Sequence, residues 1–280
     1  MVTIKQALSQ AGQTLAHHSP SPRLDAEVLL SHALHTTRTA LYTHPEQFLA
    51  DEESRYFQTL VTKRSEGIPI AYLLGEREFW SLPFKLSQDT LIPRPETERL
   101  VEVILSFFQE KTDLSLLDLG TGSGAIAIAL AHTKRSWQVT ATDINQNALD
   151  MATTNALALG MTDISFIQSN WFSSIPSLKY DVIVSNPPYI KDNDPHLTEG
   201  DVRFEPKRAL VSGKEGLDAL IHIIQESYEH LHPGGCLFVE HGYDQQQAVM
   251  ALLTRRGYVN VQGFQDHNQV DRVSIGWRNN

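Results

Sequence analysis

The 280-residue chain has one cysteine, Cys236, so no intrachain disulfide can form. No apolar run approaches the roughly 20 residues that cross a bilayer, and no membrane association is expected. The opening MVTIKQALSQAGQTLAHHSP lacks a basic head ahead of an apolar stretch, so it does not read as a signal peptide. These features suit a reducing cytosol, and a cytoplasmic location is expected. Positive charge is scarce as well: 23 Lys and Arg stand against 33 Asp and Glu, a formal net charge of −10. Proteins that grip a nucleic-acid backbone need a basic face. With no dense Lys/Arg run, direct nucleic-acid binding is not expected. Twelve histidines are present, yet His17-His18, His32/His35 and His230/His232 do not combine with carboxylates or thiolates at ligand spacing, so no metal is expected.

The composition is that of a globular protein: 41% hydrophobic and 20% charged, enough to build the core of one or two domains. Residues 1–75 read as all-helical. Ile4, Leu8, Ala11 and Leu15 recur at helical spacing. Ser21-Pro22 offers a cap and a first-position proline ahead of Leu24, Val28, Leu29 and Leu30. Asp51 is placed to cap a third helix bearing Phe57, Leu60 and Val61, closed by Gly67 and Pro69. Residues 76–90 then read as a hairpin or extended linker. From 91 the chain enters LIPRPETE, a helix with Leu100, Val101, Ile104 and Leu105, and an alternation of strands and helices. The expected strands are Leu114–Leu119, Gln138–Asp143, Ile164–Gln168, Tyr180–Ser185, Cys236–His241, Val259–Phe264 and Arg272–Trp277. The intervening helices are Ala125–His132, Asn147–Leu159, Leu217–Leu231 and Gln245–Arg256. Such alternation implies an α/β, Rossmann-like, seven-stranded and mostly parallel sheet. The link Gln265–Asp271 is too short for a parallel crossover, so the last strand should run antiparallel to its predecessor.

Two motifs carry chemistry. In LLDLGTGSGAIAIALA an apolar strand runs through Asp118 into a turn holding Gly120, Thr121, Gly122, Ser123 and Gly124, and then into a helix. Glycines admit a ligand close to the backbone, and the helix N-terminus offers free N–H groups. Asp143 follows at the distance of a ribose-binding carboxylate, so the spacing also satisfies a dinucleotide fingerprint. Asp118 favours S-adenosylmethionine, because a carboxylate there would crowd a pyrophosphate but can stabilise an ammonium through water. Trp171, in SNWF, is a candidate to stack on adenine, with core burial as the alternative. Asp143 can equally cap the next helix, as can Asn145. The second motif is YDVIVSNPPYI. A strand runs into Asn186-Pro187-Pro188-Tyr189, whose prolines stiffen the backbone and leave carbonyls free to accept. An NH2 group on a planar conjugated system has two hydrogens to donate and a delocalised, poorly nucleophilic lone pair. The Asn186 side chain and the Pro187 carbonyl can accept both hydrogens, and Tyr189 can pack on the planar face. Adenine, guanine and glutamine all present such a group, and a rigid turn without chemistry is the plainer reading.

Taken together, EREFWSLPFKLSQDTLIPRPETERLVE, the glycine-rich segment, SNWF, SNPPYI and FEPKRALVSGKEGL resemble the release-factor glutamine methyltransferase (PrmC/HemK) family along nearly the whole chain. Nucleic-acid methyltransferases share NPPY but not the PRPETE preamble. The resemblance implies a class I S-adenosylmethionine-dependent methyltransferase domain over 91–280. It implies methyl transfer to the N(5) amide of the glutamine in a Gly-Gly-Gln motif of class 1 peptide chain release factors. A helical domain over 1–75 would dock that protein, and the enzyme is expected to be a monomer. Gly120 to Gly124, Asp143, Trp171 and Asn186 would bind S-adenosylmethionine, and Asn186 to Tyr189 would receive the glutamine. Asn170 stands where the family commonly has an acidic residue, and its amide oxygen can still accept. Glu215 replaces a frequent Asp. Arg94, Glu96 and Glu205 either position substrate or brace the loops through ion pairs. The rival activities are methylation of a ribosomal-protein glutamine and of a nucleic-acid amino group; an NAD oxidoreductase or a non-catalytic cofactor-binding module would use the same glycine turn.

Overall fold

A computed structural model describes residues 2–175 and 178–280. The chain divides into two compact units, Met1–Glu76 with Thr198–Phe204, and Arg77–Leu197 with Glu205–Asn280.

The first unit is built from α1 (Ile4–Leu15), α2 (Pro22–Ala33), α3 (Arg38–Thr43), α4 (Asp51–Ser65) and α5 (Ile70–Leu74). Ile4, Ala7, Ala11 and Leu15 of α1 pack on Leu29, Leu30, Phe57 and Leu60, as a 3.6-residue apolar stripe requires. Three local readings are corrected. Ala50, not Asp51, is the N-cap of α4; the Glu53 carboxylate accepts from the Ala50 N–H at 2.8 Å, and Asp51 is the first helical residue. The Ser21 hydroxyl donates to Asp25 at 3.0 Å rather than accepting from its helix end. Leu24 is exposed, because Asp25, Ala26, Leu29 and Leu30 take the inward face of α2. Two buried carboxylates stitch this unit. Asp25 accepts from Arg64 at 2.7 Å, and Arg64 reaches Asp201 of the 198–204 segment at 3.1 Å. Glu27 accepts from Arg23, Arg38 and Tyr42, which together hold its carboxyl below the usual range against the opposing effect of burial.

The second unit opens with a hairpin, β1 (Glu76–Phe79) and β2 (Leu82–Lys85), and a 3-10 turn over Pro95–Thr97 that leads into α6 (Glu98–Phe107). There follow β3 (Ser115–Leu119), α7 (Ala125–Thr133), β4 (Gln138–Asp143), α8 (Gln146–Ala158), β5 (Ser165–Gln168) and β6 (Tyr180–Ser185). After three short 3-10 turns come α9 (Asp218–His230), β7 (Leu231–Glu240), α10 (Gln246–Arg256), β8 (Val259–Gln265) and β9 (Asp271–Trp277). The seven-stranded sheet has the order β5-β4-β3-β6-β7-β9-β8. Every pairing from β5 to β7 is parallel, whereas β9 runs antiparallel to both its neighbours. The expected antiparallel last strand is therefore present, inserted between β7 and β8. Strand β7 begins five residues before Cys236, at Leu231, which pairs with Tyr180 ahead of a register shift. Cys236 is a buried mid-strand residue, and burial pushes its thiol up. The apolar run AIAIALA makes α7 a helix buried all round, from Ala125 to Ala131, which fixes the turn before it against the sheet.

Candidate active site

The parallel strands β3, β4 and β6 end side by side, and strand order reverses between β3 and β6. Ligands bind at that switch point in open α/β sheets. A cavity of about 280 Å³ lies there. It is lined by Gly120, Gly122, Asp143, Ile144, Asn170, Trp171, Asn186, Pro187 and Pro188, with Asp89, Arg208 and Ala209 at its margin.

The turn after β3 is held from both sides. The Gly120 and Thr121 N–H groups donate to the Thr142 carbonyl, each at 2.8 Å, and the Gly122 N–H donates to Asp143 Oδ2 at 2.9 Å. Gly124 caps α7 in the left-handed region, φ +85°. A Cβ there would stand 2.8 Å from Ile128 Cδ1 and 3.1 Å from Ala152 Cβ, so only glycine fits. Asp143 spends both oxygens on backbone: Oδ2 on Gly122 and Oδ1 on the Asn145 N–H at 2.9 Å. The cap of α8 is Asn145, which accepts from the Asn147 N–H at 3.2 Å. Burial raises the Asp143 carboxyl, opposed by those two donors and by the charge of Arg208. Asp118 lies beneath the turn, wholly buried and outside the cavity lining. Its Oδ2 accepts from Thr121 at 2.6 Å, its Oδ1 is unpartnered, and burial pushes its carboxyl up to about 7. Ser123 faces inward as well; its carbonyl accepts from Asn155 at 2.9 Å.

The opposite wall comes from the loops after β5 and β6. Trp171 lines the cavity at a left-handed φ of +51° and stands 3.6 Å from where a Gly120 Cβ would be. It also packs against the apolar cluster that holds Leu117, Leu119, Phe172 and Ile183. Asn170 is at the rim, its N–H bonded to Ser173 at 3.2 Å. The Asn186 amide donates through Nδ2 to Thr97 Oγ1 at 3.0 Å. Pro187 and Pro188 line the cavity, but Tyr189 does not. Its hydroxyl donates to the buried Glu240 at 3.3 Å, and its carbonyl accepts from Gln245 at 3.0 Å. Burial and the neighbouring Glu240 charge raise the Tyr189 phenol well above its ordinary value. Glu205 forms a buried ion pair with Arg94 and accepts from the Ile92 N–H at 3.1 Å, the loop-bracing arrangement.

Three side chains escaped the sequence reading. Asn155 of α8, buried mid-helix, bonds both backbone groups of Lys85 and the Ser123 carbonyl, tying the hairpin to the turn. Thr97 and Glu240 stand behind Asn186. A polar residue at an apolar helix position was the available signal for Asn155; a strand-end glutamate gives none. Among the described residues no group of three or more His, Cys, Asp or Glu is arranged to hold a metal.

The PrmC N-terminal domain family matches residues 6–75, and the methyltransferase small domain family matches 97–202. The release factor glutamine methyltransferase of Aliivibrio fischeri is 47% identical over 98% of this chain and 97% of its own length. That of Vibrio cholerae is 48% identical over 98% and 96%. The chain belongs to the release factor glutamine methyltransferase family. The fold recurs in a methyltransferase from Pyrococcus furiosus, with a TM-score of 0.55 at 18% identity over 80% of this chain and 98% of that one. No helix among the described residues is long and apolar enough to cross a membrane.

Proposed function

We propose that the enzyme transfers the methyl group of S-adenosylmethionine to the N(5) amide nitrogen of the glutamine in the Gly-Gly-Gln motif of class 1 peptide chain release factors. The observation that carries this is one cavity whose walls join the Gly120–Gly124 turn and Asp143 to Asn186-Pro187-Pro188. The donor set fits the cofactor. Gly120 and Gly122 put no side chain on the wall, and each Asp143 oxygen keeps a lone pair beyond its one backbone bond with which to accept a hydroxyl. Trp171 offers an aromatic face and Asn170 an exposed amide, while Asp118 stays beneath the turn, outside the cavity wall. S-adenosylmethionine supplies a methyl on a positively charged sulfonium.

The chain's own part is to orient the acceptor nitrogen. With Nδ2 of Asn186 engaged by Thr97, its Oδ1 is the end left to accept from a substrate amide. The Pro187 carbonyl supplies a second acceptor. Two acceptors on the NH2 hydrogens align the nitrogen and favour the positive charge it gains on methylation. The proton then leaves the nitrogen, which is acidic while charged, so no base is needed before attack. The helical unit, Met1–Glu76 with Thr198–Phe204, would dock the release factor, and the unit of Arg77–Leu197 and Glu205–Asn280 would carry the transfer.

Calorimetric titration tests the cofactor half: S-adenosylmethionine should bind and NAD should not. Peptide mapping after incubation with a release factor should find one added methyl on the glutamine-bearing peptide. Binding of NAD alone would overturn the reading.

A further inference from the structure

An asparagine amide has an oxygen and an NH2 of nearly equal size at its two ends, so packing alone sets its orientation poorly. At Asn186 the difference decides function. An oxygen toward the cavity accepts from a substrate NH2, whereas an NH2 toward the cavity opposes it donor to donor. The surroundings of Asn186 resolve the choice. Strands β6 and β7 pair in parallel through Ser185 and Val239, so Asn186 and Glu240 leave adjacent strand ends side by side. Thr97, buried at the end of the Pro95–Thr97 turn, bonds Asn186 Nδ2 at 3.0 Å and also faces the Glu240 carboxyl.

Glu240 is buried. Its Oε1 accepts from Tyr189, and its Oε2 is enclosed with no partner at ordinary hydrogen-bond geometry. An ionised carboxylate only accepts, and a hydroxyl has one proton that rotates to suit. The unmet oxygen draws the Thr97 proton toward Glu240, which leaves Thr97 Oγ1 as an acceptor. An acceptor there holds the NH2 end of Asn186 and turns its oxygen away. Burial pushes the Glu240 carboxyl up to about 7 and Glu96 adds to that, whereas the Thr97 and Tyr189 hydroxyls and the charge of Arg272 favour the ionised form, which is the form that makes this demand on Thr97 above pH 7. Leaving a buried carboxylate oxygen unmatched is costly, so the demand on Thr97 is a strong one.

We infer that Thr97 and Glu240 are positioning residues that fix the direction of the Asn186 amide, and with it the selectivity of the site for an NH2 donor. This rests on the proposed amide methylation. The test uses the full-length enzyme with Thr97→Val, Thr97→Ser and Glu240→Leu, release factor as acceptor, and three readouts: single-turnover methyl transfer, cofactor affinity by calorimetry, and the side-chain 15N amide signal of Asn186 by NMR. Thr97→Val should slow transfer about 30-fold, roughly 2 kcal/mol, with cofactor affinity and KM for release factor within about threefold. Thr97→Ser should recover to within about threefold of the parent. Glu240→Leu should slow transfer as Thr97→Val does, and combining the two should add little. The Asn186 amide protons, distinct and slowly exchanging in the parent, should shift and exchange faster in Thr97→Val. Full-rate transfer by Thr97→Val, equal loss of rate and cofactor affinity, a Thr97→Ser variant as slow as Thr97→Val, or an unmoved Asn186 signal would each overturn the inference. If the parent transfers no methyl to release factor, the functional reading falls, while the NMR comparison still decides the amide's orientation.

Discussion

At the scale of single residues, the site divides its polar groups between holding the protein and waiting for a ligand. Asn186 does both, one end on Thr97 and one end available. Asn186→Ala should therefore lower single-turnover transfer about 100-fold, as removal of one preorganised polar contact does, while cofactor affinity changes only a few-fold; parallel loss of both would make Asn186 a wall of the cofactor pocket. Asp118 is a different case, buried with one oxygen unpartnered. Burial raises its carboxyl from 3.8 to about 7, so the folded protein keeps a proton that the unfolded chain releases. By linkage, Asp118's share of stability is complete below 3.8 and is lost as pH rises to about 7. Urea denaturation at several pH values should show that decline, and Asp118→Asn should flatten it. The glycines, Asp143 and Asn186 were legible in the sequence because each sits at a strand end beside a turn signal. Thr97 and Glu240 were not, since their importance comes from lying next to Asn186 in space while 89 and 54 residues away in the chain, the difference between 186 and 97 and that between 240 and 186.

At the scale of elements, a buried side chain outside the cavity ties its turn to the rest of the unit. Asn155 reaches from α8 to the β2 backbone and to Ser123, three hydrogen bonds from one amide. Asn155→Ala would leave the Lys85 backbone groups and the Ser123 carbonyl unmatched, at a cost of about 2–4 kcal/mol, readable as a lower urea midpoint with a weaker cofactor affinity. A variant as stable as the parent would mean that the hairpin holds itself. The longer helices and all seven sheet strands were foreseeable from periodicity and from glycine, proline and polar punctuation. The six-residue α3 and five-residue α5 were not, because a helix of little more than one turn carries too few apolar positions to show a period. Nor was the early start of β7, where Leu231 pairs with Tyr180 and His232-Pro233-Gly234-Gly235 fall within the register shift before Cys236 pairs with Val182.

At the scale of the molecule, the order β5-β4-β3-β6-β7-β9-β8 brings motifs 116–131 and 180–190 to one cavity, although 48 residues separate them (the difference between 180 and 132). That meeting was legible because parallel strands joined by crossovers all deliver their carboxyl ends to one edge. The association of Thr198–Phe204 with the helical unit was not, since it depends on the buried Arg64 ion pairs with Asp25 and Asp201. The central claim is methyl transfer to one glutamine amide, and the direct measurement is tritium transfer from labelled S-adenosylmethionine to a release factor, to its Gln→Ala variant in the Gly-Gly-Gln loop, to ribosomal proteins and to nucleic acid. Label on the intact release factor alone is the expected result; label on the Gln→Ala variant, on ribosomal protein or nucleic acid in place of release factor, or on none of them would contradict it.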